Sequence, residues 1–135
     1  MVKFKQDDTL SIAPQEIHVL IAEDDEESVL SLTAMLKVLK IKDIILVNNG
    51  LEALEQCKCK QFDLILMDIK MPVLNGLEAT KAIRELKTYS DIPIIATTSS
   101  SSIKDQENCF CAGMNSFLAK PIKVNDLTEV INNFL

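Results

Sequence analysis

Residues 62–76 read FDLILMDIKMPVLNG. Leu64 to Met67 is apolar at every position, and a strand that does not alternate is expected where helices cover both faces of a parallel sheet. We therefore predict a strand over 62–67. Asp68 follows it directly, and Pro72, Asn75 and Gly76 mark a loop. Beyond the loop, Ala79, Ala82, Ile83 and Leu86 recur at the spacing of one helix face. The segment is thus a strand, an acid at the strand end, a loop and a helix. The same unit repeats on either side. Upstream, a strand over 17–22 precedes a helix with Val29, Leu32, Leu36 and Leu39 inward, and a strand over 43–47 precedes a helix opened by Gly50 with Ala53, Leu54 and Cys57 inward. Downstream, a strand over 92–97 leads through the serine run Ser99–Ser102 to a polar helix closed by Gly113, a plausible C′ glycine. A strand over 116–119 then leads past Pro121 to a helix with Leu127, Val130, Ile131 and Phe134 inward. Five βα units predict a doubly wound α/β fold with one five-stranded parallel sheet. With right-handed crossovers and the strand order 2-1-3-4-5, the functional crevice lies at the C-terminal ends of the first and third strands, where the winding reverses.

Size and composition narrow the functions. At 135 residues the chain suits one domain, which we place at 17–135, with the polar, Pro14-interrupted residues 1–16 as a tail or linker. A net charge of −6 without a dense Lys/Arg run argues against nucleic-acid binding. No apolar run approaches the roughly 20 residues needed to span a bilayer, and no signal peptide opens the sequence, so no membrane contact and a cytoplasmic location are expected. The cysteines fall as Cys57/Cys59 and Cys109/Cys111. Residues two apart on a helix point in different directions, so helix packing is the expectation over zinc or disulfides. His18, the only histidine, opens the first strand and reads as structural.

The strand ends carry the chemistry. Glu23 and Asp24 follow the first strand and Asp68 the third, three carboxylates at one crevice. Like charges so placed repel, and at least one pKa should rise unless a cation intervenes. Hard oxygen ligands of this kind suit Mg²⁺. Lys120, after the fifth strand, would enter the crevice from the other side as a point charge for a phosphate oxygen or for Asp68, and Thr98, at the end of the fourth, can donate its hydroxyl to the same oxygens.

With these residues in place, the chain over 17–135 resembles the receiver domains of response regulators, most of all those of hybrid sensor histidine kinases. The acidic pair lies in VLIAED, Asp68 in FDLILMDIKMPVLNGLEAT, Thr98 in IPIIATT and Lys120 in FLAKPI. The resemblance implies a chemotaxis-receiver-like, flavodoxin-like (βα)5 fold, and the strand order above is in part its implication. It also implies that Asp68 accepts a phosphoryl group from the phosphohistidine of a histidine kinase or histidine phosphotransfer protein. Mg²⁺ would be held by Asp24, Asp68, Glu23 and the backbone carbonyl of Lys70, and the phosphoryl oxygens by Lys120 and Thr98. Thr98 and Phe117 would form the conformational switch, Phe117 standing where the family often has Tyr and lacking its hydroxyl. Lys70 and Ser100 occupy positions expected to influence dephosphorylation, and the fourth helix, fifth strand and fifth helix form the expected output face.

Three readings compete. A phosphatase with an aspartyl-phosphate intermediate would want an acid two residues after Asp68, where Lys70 stands. A cofactor binder on the same fold would want a phosphate loop after the first strand, where 23–27 reads EDDEE. A degenerate receiver acting only as a protein-binding module would fail to take up phosphate. The expectation is a phosphorelay module that catalyses only its own phosphorylation and dephosphorylation, either as a stand-alone regulator or as part of a hybrid kinase with 1–16 as linker.

Overall fold

The computed structural model describes residues 10–100 and 102–135. Five strands form one parallel sheet in the order β2-β1-β3-β4-β5: β1 (His18–Ala22), β2 (Asp43–Val47), β3 (Leu64–Asp68), β4 (Ile94–Thr98) and β5 (Ser116–Ala119). Between and after them lie α1 (Glu26–Val38), α2 (Gly50–Cys59), α3 (Gly76–Arg84), α4 (Ile103–Ala112) and α5 (Val124–Phe134). The expected (βα)5 architecture and order are those observed.

Side chains alternate across the sheet and build two cores. Leu20, Ala22, Ile65, Met67, Ile94 and Ala96 pack toward α2, α3 and α4. Val19, Ile21, Leu64, Leu66, Ile95 and Leu118 pack toward α1 and α5. Helix starts are fixed locally: the side chains of Asp25, Asn49, Asn75 and Ser102 each accept the backbone N–H three residues on, which satisfies a donor left unpaired by the helix. Gly113 closes α4 at φ 110°, a conformation that favours glycine.

Several boundaries differ from the sequence expectation. β3 starts at Leu64 because the Phe62 N–H is taken by the Tyr89 hydroxyl, and it runs on to include Asp68. β4 starts at Ile94, since the Ile92 carbonyl accepts from Arg84, and it ends with Thr98. α3 stops at Arg84, so Leu86 lies past the helix, although it still packs on the core. Phe134, expected inward, is the last residue of α5 and is 38% exposed. Each cysteine pair splits as expected: Cys57 and Cys109 are buried, Cys59 and Cys111 exposed. Of the predicted tail, residues 1–9 lie outside the described residues. Leu10 and Ile12 pack on the α1/α5 core, and the Ser11 N–H donates to Asn132 Oδ1 at 2.8 Å.

Candidate functional site

Asp68 is the last residue of β3 and Thr98 the last of β4, while Glu23, Asp24 and Lys120 lie just beyond their strands, all at the C-terminal edge of the sheet. The backbone that presents them is anchored, since the Glu23 N–H donates to Val47 O and the Lys120 N–H to Thr98 O. Gly76 lets this edge close up. A Cβ there would sit 2.1 Å from the carbonyl oxygen of Asp68, so the loop can fold back over β3 only around a glycine. In the same loop, Val73 takes φ 69°, a strained conformation for a β-branched residue.

Carboxylate oxygens of Glu23, Asp24 and Asp68 all lie within 4.8 Å of one another. Glu23 and Asp68 are buried and Asp24 is exposed. Lys120 Nζ comes to 2.8 Å from Glu23 Oε1 and donates to Asp68 Oδ1 at 3.3 Å. Glu23 Oε1 is thus held by the Lys120 ion pair, while Oε2 accepts the Asp25 N–H at 3.1 Å. The rise in pKa expected of crowded carboxylates falls on Asp68. Burial first, and the Glu23 charge second, push its carboxyl well above the usual range against the opposing pull of Lys120. Lys120 in turn is raised, because its carboxylate partners outweigh its own desolvation.

The switch candidates lie on the other face. Thr98 continues the Ala96 side of β4, and Phe117, in register with Ala96, packs half-buried against the α2/α3/α4 core. The Thr98 hydroxyl is engaged in its own loop: it donates to Ser100 O at 2.8 Å and accepts the Ser100 N–H at 3.0 Å. Ser100 Oγ in turn donates to Asp105 Oδ2 in the first turn of α4. Lys70 is exposed and lines one cleft with Asp24, Met71 and Asn75. His18 lies at the far end of β1, bonded to Asp43 Oδ2 at 2.5 Å, which fits a structural residue.

Two residues next to these were not singled out from sequence. Asp105 has a local signal, the Ser102-x-x-Asp105 pattern of a helix start. Thr97, buried with its hydroxyl unpartnered, has none, because adjacent threonines on a strand look alike until the face each takes is known.

Three carboxylates whose oxygens lie within 4.8 Å of one another make a hard, oxygen-rich donor set that fits a divalent cation such as Mg²⁺. Among the described residues no helix is long and apolar enough to cross a membrane.

Comparison with known proteins agrees with this geometry. Residues 19–132 match the family model of the response regulator receiver domain. Hybrid signal transduction histidine kinase B of Dictyostelium discoideum is 41% identical over 115 residues, which cover 76% of this chain but 6% of that protein. The chain thus spans a small part of such relatives. The receiver domain of sensor histidine kinase PA1611 from Pseudomonas aeruginosa, solved with a magnesium ion coordinated in its active-site cleft, is 37% identical, with a TM-score of 0.82 over 90% of this chain and 98% of that one. The receiver domain of the Saccharomyces cerevisiae response regulator Ssk1, solved with the histidine phosphotransfer protein Ypd1, is 32% identical, with a TM-score of 0.81 over 91% of each chain.

Proposed function

Since the chain belongs to the response regulator receiver domain family, we propose that it accepts a phosphoryl group from a partner's phosphohistidine onto Asp68, with Mg²⁺, and changes conformation to control a signalling output. The observation that carries this is the Lys120 ammonium set between two buried carboxylates, Glu23 and Asp68, at the switch point of the sheet. Bound by Glu23, Asp24, Asp68 and the Lys70 carbonyl, Mg²⁺ would neutralise the crowded carboxylates and the phosphoryl oxygens.

The chain's own residues account for the remainder of the transfer. An Asp68 oxygen attacks phosphorus, the P–N bond breaks, and its electron pair leaves on the imidazole nitrogen. Phosphoryl transfer spreads charge over the equatorial oxygens, so positioned cations and donors supply most of the catalysis. Lys120 serves as such a cation, already held at Asp68 by a hydrogen bond. Thr98 serves as a donor only after leaving Ser100, which couples phosphorylation to the β4–α4 loop. Phe117 has no hydroxyl, so its response is one of packing. The phosphohistidine lies outside these 135 residues, because His18 is at the other end of β1, some four residues or about 13 Å from the site. A histidine kinase or histidine phosphotransfer protein fits that role, as the Ypd1–Ssk1 complex does for its own receiver. The kinship to hybrid kinases supports a place within such a protein.

Incubation with acetyl phosphate, with and without Mg²⁺, followed by intact-mass spectrometry tests the reading. Wild type should gain one phosphoryl group only with Mg²⁺, and Asp68→Asn none. A gain that survives in Asp68→Asn would place the nucleophile elsewhere. No gain, even from a phosphohistidine donor, would instead support a module that only binds proteins.

A further inference from the structure

The Thr98 hydroxyl carries one proton, and that proton is committed. It donates to Ser100 O at 2.8 Å, while the Ser100 N–H donates back to Thr98 Oγ1 at 3.0 Å. Donation to a phosphoryl oxygen on Asp68 therefore requires the first of these bonds to break. How readily it breaks depends on how firmly Ser100 itself is held. Its side chain supplies a hold, because Ser100 Oγ donates to Asp105 Oδ2. Asp105 sits in the first turn of α4, a helix whose start is fixed by the Asp105 N–H donating to Ser102 Oγ and whose Cys109 and Ala112 are buried. The loop residue that occupies the switch hydroxyl is thus tied to a packed helix.

An acid in a first helical turn needs no loop partner, since the helix dipole favours it there in any case. The Asp105 carboxylate nevertheless turns back to a residue two before the N-cap. The Ser100 hydroxyl first, and that of Ser102 second, hold the Asp105 carboxyl below its usual range, so the bond to Ser100 is charge-assisted at neutral pH. The Lys70 charge acts in the same direction, which puts Asp105 within electrostatic reach of the residue two past Asp68.

We propose that Asp105 is a positioning residue for the Thr98 switch: by anchoring Ser100 to α4 it holds the Thr98 hydroxyl in its resting bond and opposes its donation to the phosphoryl group. The inference rests on the phosphoryl-acceptor reading above and deepens it by naming the residue that restrains the switch. Breaking the resting bond adds to the barrier for transfer, so a weaker anchor shifts the population toward the engaged Thr98.

Two substitutions each remove one end of the anchor. Asp105→Ala leaves the helix cap in place, because the cap uses the Asp105 backbone N–H, and Ser100→Ala leaves both Thr98 bonds in place, because these use the Ser100 backbone. Either should speed phosphorylation by acetyl phosphate at saturating Mg²⁺ roughly threefold to tenfold, the lower end for a hydrogen bond to a charged group because the pair is half-exposed. The double variant should be no faster than the singles, since both remove the same bond. In unphosphorylated Asp105→Ala, the NMR signal of the Thr98 methyl should move part of the way toward its position in phosphorylated wild type, a shift that a weaker helix start alone would not produce. An Asp105→Ala rate equal to or below wild type, additive effects in the double variant, or an unmoved Thr98 signal overturns the assignment while leaving the acceptor reading intact. A wild type that takes up no phosphate overturns both.

Discussion

At the residue scale, the site depends on groups well away from it. Tyr89 is fully buried, and its hydroxyl donates to Lys60 O at 2.5 Å and accepts the Phe62 N–H at 2.9 Å. That pair of bonds holds the backbone entering β3, at whose far end Asp68 sits. Tyr89→Phe leaves the buried Phe62 N–H without a partner and the part-buried Lys60 carbonyl short of one, so it should cost about 1–3 kcal/mol. Denaturant unfolding should show a lower midpoint with an unchanged slope, and a midpoint within error of wild type would refute this account. Arg84 works similarly, donating to the carbonyls of Tyr89, Ile92 and Gly113 and to Asn115 Oδ1. It ties the end of α3 to the entrances of β4 and β5. None of these ties was legible in the sequence. A lone Tyr or Arg has no local pattern that names its partners, whereas Asp68, between an apolar strand and a loop, is set by its immediate neighbours.

At the element scale, the β3–α3 connection presents the proposed nucleophile. The Gly76 N–H donates to Ile69 O at 2.8 Å, and Asn75 caps α3 by accepting the Glu78 N–H. The helix start is therefore pinned to the residue just after Asp68. Gly76→Ala would push a methyl into the Asp68 carbonyl, and the obstacle is backbone, which cannot rotate aside. We expect a stability loss of about 1–3 kcal/mol, typical of overpacking. Phosphate uptake in the folded fraction should also fall severalfold, because Asp68 itself must shift. Unfolding curves and intact-mass time courses on the same sample check both, and unimpaired uptake would mean that the loop accommodates the methyl elsewhere. The sequence placed Gly76 at a helix boundary. Only the folded loop makes it a point of contact with Asp68.

At the scale of the whole molecule, burial of ionisable groups in one of the two cores makes stability depend on pH. The α2/α3/α4 core encloses three groups that resist ionisation, Cys57, Cys109 and Tyr89. Burial pushes the Cys57 thiol from 9.0 up to about 11, and burial also raises the Tyr89 phenol. Both folded values lie above the unfolded ones. The Cys57 contribution is thus complete below about pH 9 and is lost as pH climbs toward 11, while that of Tyr89 persists to higher pH; across the window the unfolded chain sheds protons that the native state retains. Unfolding free energy should decline across that window, less steeply in Cys57→Ala, and a flat profile would contradict the burial of these groups. By itself the sequence determined the (βα)5 fold, the crevice, and the acidic and basic residues at the strand ends, because strand and helix periodicity is written in each element's own side-chain directions. Tertiary structure alone decided that Lys120 pairs with Glu23 as well as with Asp68, that Thr97 and Thr98 take opposite faces, and that Ser100 holds the Thr98 hydroxyl in its loop. Those outcomes depend on register and crossover between segments far apart in the chain, which no local pattern encodes.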